Sequence, residues 1–89
     1  MNSEQFLQSL RQDGFPDPVE VQQAPNGQLG IHAHPFEVRA LVIEGDITIV
    51  IDGLSKLYKI GDIFRLEFKQ PHAESYGPGG VKYLASRKQ

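Results

Sequence analysis

The chain has 89 residues, no cysteine and a formal net charge of −2 at neutral pH. This length predicts one domain with a modest core, and the missing cysteines exclude disulfides and thiolate ligands. The lysines and arginines are scattered, the N-terminus lacks the apolar core of a signal peptide, and no apolar run could span a bilayer. We therefore expect a cytoplasmic protein that binds neither nucleic acid nor a membrane.

A short helix is predicted at the start of the chain, within residues 1–14. Asn2 or Ser3 can cap it, and Gln5 falls at the capping-box position counted from Asn2. Apolar residues then recur at helical spacing along one edge, and Gly14 with the prolines after it ends the helix. A helix with one apolar edge is expected to cover a sheet or one end of a barrel.

The remaining barrel region, residues 19–87, alternates short β-branched segments with turn signals. Pro25–Gly27 and Asp52–Gly53 are typical turn sequences, and Gly77–Gly80 is also expected to be a hairpin turn. About eight short strands, at turn spacings of roughly 8–12 residues, indicate an antiparallel sandwich or barrel. The predicted fold class is all-β, as a single domain over residues 1–89.

Association into a homodimer is also expected. A domain of this size has a small core, and apolar strand segments such as residues 47–51 leave edges that need covering. The apolar edge of the helix could reach a partner subunit as well.

Two of the three histidines, His32 and His34, are one residue apart on a predicted strand. Residues i and i+2 of a strand point to the same side, so the two imidazoles project together. Imidazole suits Fe, Zn, Ni and Cu, and also Mn when carboxylates join it. The pair needs a third ligand, and His72 is the remaining histidine. From spacing alone, a solvated pair on an ordinary strand and a metal site are both open.

The arrangement of the three histidines resembles the two motifs of the cupin superfamily. The first cupin motif has H-x-H followed by a glycine, at the distances of His32, His34 and Gly45. The second motif has a glycine ahead of a histidine, at the distance between Gly61 and His72. The resemblance implies an antiparallel jelly-roll β-barrel. It also implies a divalent transition ion (Fe, Mn, Ni, Zn or Cu) held by the three histidines.

The carboxylate of the first cupin motif has no exact counterpart in this chain. The family position falls at Val38 or Arg39, whereas the nearest acid, Glu37, comes one place early. Even alternation turns Glu37 away from the barrel, although a bulge before it would turn it inward. Glu74 is a second candidate because it lies two residues after His72 and shares its face. Glu74 could be a ligand, an acceptor that orients a histidine, or a residue of the rim.

Three histidine ligands would leave coordination positions open to a small-molecule ligand. One hypothesis is an enzyme that acts on a small anionic or oxygen-rich molecule. A second is a non-catalytic binding or sensor module, with or without metal, and a third is a scaffold that works through its surface. The sequence assigns no catalytic residue and does not decide between these hypotheses.

Overall fold

The computed structural model describes residues 1–89 and contains one helix and six strands. The helix is α1 (Ser3–Gln12). The strands are β1 (Val19–Gln23), β2 (Gln28–His32), β3 (Glu37–Ile51), β4 (Leu54–Lys59), β5 (Ile63–Leu66) and β6 (His72–Lys88). Every strand pairing is antiparallel, which confirms the predicted fold class. No helix has both the length and the apolar character needed to span a membrane.

The long strands β3 and β6 each take part in both halves of one folded sheet. Residues 37–45 pair with 81–88, and this half carries β1 and β5 at its edges. Residues 47–50 pair with 73–76, and this half carries β2 and β4. Each half therefore has four strand segments. The eight short strands predicted from the sequence correspond to six continuous strands, because β3 and β6 are counted twice.

The main apolar core lies between the two halves of the sheet and contains eleven buried residues. It draws alternate residues from β3, namely Val38, Ala40, Val42, Ile47 and Ile49. The strand changes from even to odd inward positions at two register shifts, between residues 42 and 47. These shifts let β3 bend from one half to the other and keep its apolar side facing the core.

The segment Gly77–Gly80 is not the hairpin turn that the sequence predicted. It lies within β6, where four residues stand opposite a single residue of β3, Asp46, and so form a wide bulge between the two halves. The backbones are close there: a Cβ atom on Gly45 would lie 2.0 Å from the carbonyl oxygen of Gly80. Glycine and proline suit a bulge as well as a turn, so local sequence does not separate the two.

The helix α1 covers the outer face of the sheet. As predicted, Asn2 Oδ1 accepts the backbone N–H of Gln5, and Gln5 Oε1 accepts that of Asn2, at 2.8 and 3.1 Å. Phe6 and Leu10 are fully buried and pack with Leu41 on the outward side of β3. Burying each of these two side chains contributes about 2 kcal/mol of hydrophobic stabilisation. The helix therefore packs on the side of β3 opposite to the main core.

Candidate metal centre

The three histidines lie next to one another at one end of the barrel. His32 ends β2 and His72 begins β6, and the two are direct partners across these antiparallel strands. His34, which was predicted to lie on the same strand as His32, lies instead in the loop between β2 and β3, because β2 ends at His32. The ring centroids are 4.3 to 5.3 Å apart, and one ligand atom from each ring lies within 4.8 Å of the others. The three imidazoles are therefore close enough to hold one metal ion.

Backbone carbonyl groups determine which nitrogen of two rings faces the cluster. His32 Nδ1–H donates to the carbonyl oxygen of Gly30 at 2.7 Å, and His72 Nδ1–H donates to that of Gln70 at 3.0 Å. In the neutral form of each ring, Nε2 is then the nitrogen that carries a free lone pair. Metal-binding histidines are commonly oriented by acceptors of this kind.

The Nε2 atom of His72 is buried and has no hydrogen-bond partner. The residue is 1% exposed, so bulk solvent does not reach this atom. A buried polar atom without a partner costs about 1–3 kcal/mol. A metal ion in the cluster would take up this lone pair, and the residues present therefore fit a divalent ion.

The ring of His34 stacks on a neighbouring aromatic ring, and its surroundings lower its pKa. It lies parallel to the ring of Phe36, with 5.0 Å between centroids and 9° between planes. Burial, followed by the neighbouring imidazoles of His32 and His72, lowers the pKa of His34. The lowered pKa favours the neutral imidazole, which is the form that binds a metal.

Glu74, rather than Glu37, lies next to the imidazoles. Oε2 of Glu74 is 3.5 Å from Nε2 of His72 and 3.8 Å from Nε2 of His32, without forming a hydrogen bond to either. Its other oxygen, Oε1, accepts a 2.7 Å hydrogen bond from the hydroxyl group of Tyr76. Glu37 is exposed at the start of β3 and does not line the cavity beside the histidines. This outward position is the one that even alternation predicted.

A cavity of about 150 Å³ lies beside the histidines. Its walls are mainly apolar and include Val21, Leu29, Phe36, Val38, Phe64, Leu66 and Ala85. The polar residues that line it are His32, His34, Gln23, Glu74, Tyr83 and Arg87. Burial raises the pKa of Tyr83, so its hydroxyl group stays protonated at neutral pH and can donate a hydrogen bond. An apolar cavity with a few polar groups is the usual form of a small-molecule site.

Three polar residues of this cavity were missed from the sequence: Gln23, Tyr83 and Arg87. Tyr83 and Arg87 belong to an alternating series in β6 whose other members, Val81 and Ala85, are buried in the core. This alternation was the available signal, because it puts an arginine on the inward side of a strand. No spacing rule connects these residues to His32 and His34, which reach the cavity from β2 and the loop after it.

No protein-family model and no curated protein matches the sequence, whereas solved structures match the fold. An RmlC-like cupin from Shewanella frigidimarina has a TM-score of 0.68 and 22% identity, over 81% of this chain and 65% of that chain. A protein of unknown function from Rhizobium leguminosarum has a TM-score of 0.74 and 16% identity, over 90% of this chain and 88% of that chain. This chain has the cupin fold.

The polyketide cyclase RemF from Streptomyces resistomycificus is also similar, with a TM-score of 0.67 and 25% identity over 89% of this chain and 60% of RemF. This cupin domain thus spans less than two thirds of the length of the Shewanella and Streptomyces proteins. The jelly-roll prediction is confirmed at the level of fold. Within this cupin barrel, the carboxylate nearest to the histidines comes from the second motif, as Glu74.

Proposed function

We propose that this cupin-fold protein binds one divalent transition ion through His32, His34 and His72, and uses it to bind or convert a small anionic or oxygen-rich molecule. The observation that carries the proposal is the buried, unpaired Nε2 of His72 beside two further imidazoles. A bound ion would supply Lewis acidity and open positions for water or for a ligand oxygen. Fe, Mn, Ni, Zn and Cu all suit such a donor set.

The residues of the chain have separate tasks in this proposal. His32 and His72 present Nε2 because backbone carbonyl groups hold their Nδ1–H groups. Glu74 offers Oε2 either as a fourth ligand or as a negative charge beside the ion. Tyr76 holds that carboxylate through its other oxygen. The apolar walls of the cavity exclude water from the body of the bound molecule.

A non-catalytic binding or sensor module is the second candidate. Most residues that line the cavity are hydrophobic, which suits retention of a small molecule without reaction, with or without metal. The similarity to RemF, a polyketide cyclase, supports the enzyme instead, although one fold hosts many functions. An enzyme would release its ligand chemically changed, whereas a binding module would release it unchanged. Chemical analysis of each ligand after incubation with metal-loaded protein separates them.

Assembly and location belong to the same proposal. Large apolar side chains are exposed, including Ile31 at 82% and Leu54 at 77%. A homodimer that covers part of this surface would stabilise a barrel with so small a core. The absence of cysteine is compatible with the reducing cytoplasm, where we expect the protein to act.

The metal proposal is tested with protein purified without an affinity tag. We expect metal analysis to find about one transition ion per chain. His72→Ala should lower metal affinity by more than about 100-fold, because even residues that only orient a ligand are worth 10- to 100-fold. Circular dichroism checks that the variant is folded, and Glu37→Gln is the control on the same barrel. Unchanged metal affinity in a folded His72→Ala variant would overturn the proposal.

The ligand is sought with the metal-loaded protein. Small carboxylates and other oxygen-rich metabolites are screened for those that raise the melting temperature, since a ligand that binds the native state stabilises it. The metal-free protein serves as the reference. Ligands that stabilise only the loaded form support metal-dependent binding, and ligands that stabilise both forms equally support the metal-independent alternative.

A further inference from the structure

Arg87 is the one lysine or arginine that lines the cavity beside the histidines. Its guanidinium carbon lies 5.2 Å from the centroid of the Phe36 ring, on which the His34 ring also stacks. Arg87 forms no ion pair with a carboxylate of the chain. Arg39, by contrast, is paired with Asp13 at 2.5 Å on the outside of the barrel. The donors of Arg87 are therefore free.

We infer that Arg87 binds the carboxylate group of a short organic acid whose other end presents oxygen donors to the histidine cluster. This inference rests on the proposed metal function and deepens it by naming the ligand class. The planar guanidinium fork matches a carboxylate through two parallel hydrogen bonds. Arg87 is itself exposed, so the anionic end of the ligand stays near the mouth while the rest enters the cavity.

The size and walls of the cavity limit what such an acid can be. A cavity of about 150 Å³ is the size that holds benzene, a molecule of about six heavy atoms. With the carboxylate at the mouth, this leaves room for a metal-binding group and a short, largely unsubstituted chain. Phe64, Leu66 and Ala85 offer apolar contacts to that chain, whereas a second charged group midway would be buried without a partner.

The net charge of the site also favours an anionic ligand. Glu74 contributes one negative charge near the cluster and Arg87 contributes one positive charge at the cavity. A divalent ion added to this set leaves the site positive by about two elementary charges. A ligand with one or two negative charges neutralises the site, and a neutral ligand of equal shape does not.

Two probes of equal shape test the inference on protein loaded with Ni²⁺. The probes are succinic monohydroxamic acid and its primary amide, which share the metal-binding hydroxamate and differ in the charge of the distal group. Their affinities are measured by calorimetry for the wild type, Arg87→Gln and Arg65→Gln. Arg65 is the matched control because it is exposed on β5, has no ion-pair partner and does not line the cavity.

The wild type should bind the acid about tenfold more tightly than the amide, as a charge-assisted pair of hydrogen bonds predicts. Arg87→Gln should bring this ratio close to one, while Arg65→Gln keeps the ratio. If the wild type and Arg87→Gln show the same ratio of acid to amide affinity, the proposed role of Arg87 is overturned, while the metal proposal stands. A wild type that fails to hold Ni²⁺ would overturn the metal proposal and this inference together.

Discussion

The hydroxyl group of Tyr76 donates a 2.7 Å hydrogen bond to Oε1 of Glu74, and the second oxygen of Glu74 then faces the imidazoles. Tyr76, Glu74 and His72 are alternate residues on the inward side of β6. The acid beside the histidines thus comes from β6, and Tyr76 on the same strand orients its carboxylate.

Removing the hydroxyl group in Tyr76→Phe should weaken metal binding. The ring stays in the core, but Oε1 of Glu74 loses its donor and the carboxylate is no longer held toward the cluster. We expect about tenfold lower metal affinity and a loss of about 1–3 kcal/mol in the free energy of unfolding. Metal titration and urea denaturation measure the two effects. Tyr58→Phe, on β4, is the control, and equal metal affinity in both variants would contradict the prediction.

Glu74→Gln and Glu37→Gln should differ sharply in metal affinity. Each removes one negative charge and nearly keeps the shape of the side chain. Glu74 is buried within 4 Å of two imidazoles, whereas Glu37 is exposed. We expect at least a tenfold loss for Glu74→Gln and almost none for Glu37→Gln. A loss in Glu37→Gln as large as that of a histidine variant would mean that β3 turns this side chain inward.

Acid should destabilise the metal-free protein below the ordinary imidazole pKa of about 6.5. Burial and the neighbouring imidazoles lower the pKa of His34 in the folded state, so the unfolded chain takes up this proton first. The free energy of unfolding then falls as the pH drops from 6.5 toward the lowered pKa, and His34 has no effect above 6.5. Urea denaturation in a chelating buffer measures this slope. His34→Asn should flatten it, and an unchanged slope would show that His34 is not responsible.

Light scattering at micromolar concentration should give twice the chain mass of 9.9 kDa. The expected homodimer would cover exposed apolar residues such as Ile31, Leu54 and Ile60, each more than half exposed in the single chain. Dilution should reveal dissociation if the contact is weak. A mass of one chain at all concentrations would refute the dimer.

The features predicted correctly from the sequence depend on local geometry. The capping box needs only the spacing of Asn2 and Gln5, and it forms as expected. The outward side of Glu37 follows from the alternation of β3, whereas His34 reaches His32 from a loop, which strand alternation does not describe. The fold itself was predicted from the cupin pattern of the three histidines, and the solved structures confirm it.

The features that were missed depend on contacts between distant segments. Glu74 was a candidate because it lies two residues from His72, but its approach to His32 depends on the pairing of β2 with β6. Arg87 enters the cavity only because β6 continues past its bulge into the other half of the sheet. A glycine-rich segment can end a strand or bend it, and the choice depends on whether β3 keeps pairing on both sides.

The bulge at Gly77–Gly80 separates two parts of β6 that reach different ends of the proposed site. His72, Glu74 and Tyr76 precede it, and Arg87 follows it on the same continuous strand. One residue inserted into or deleted from this segment would rotate the guanidinium end relative to the imidazole end, while the sequence of each end stayed intact. In the proposed site, such a change would alter which acids the barrel accepts, through a segment that lines neither the histidine cluster nor the cavity.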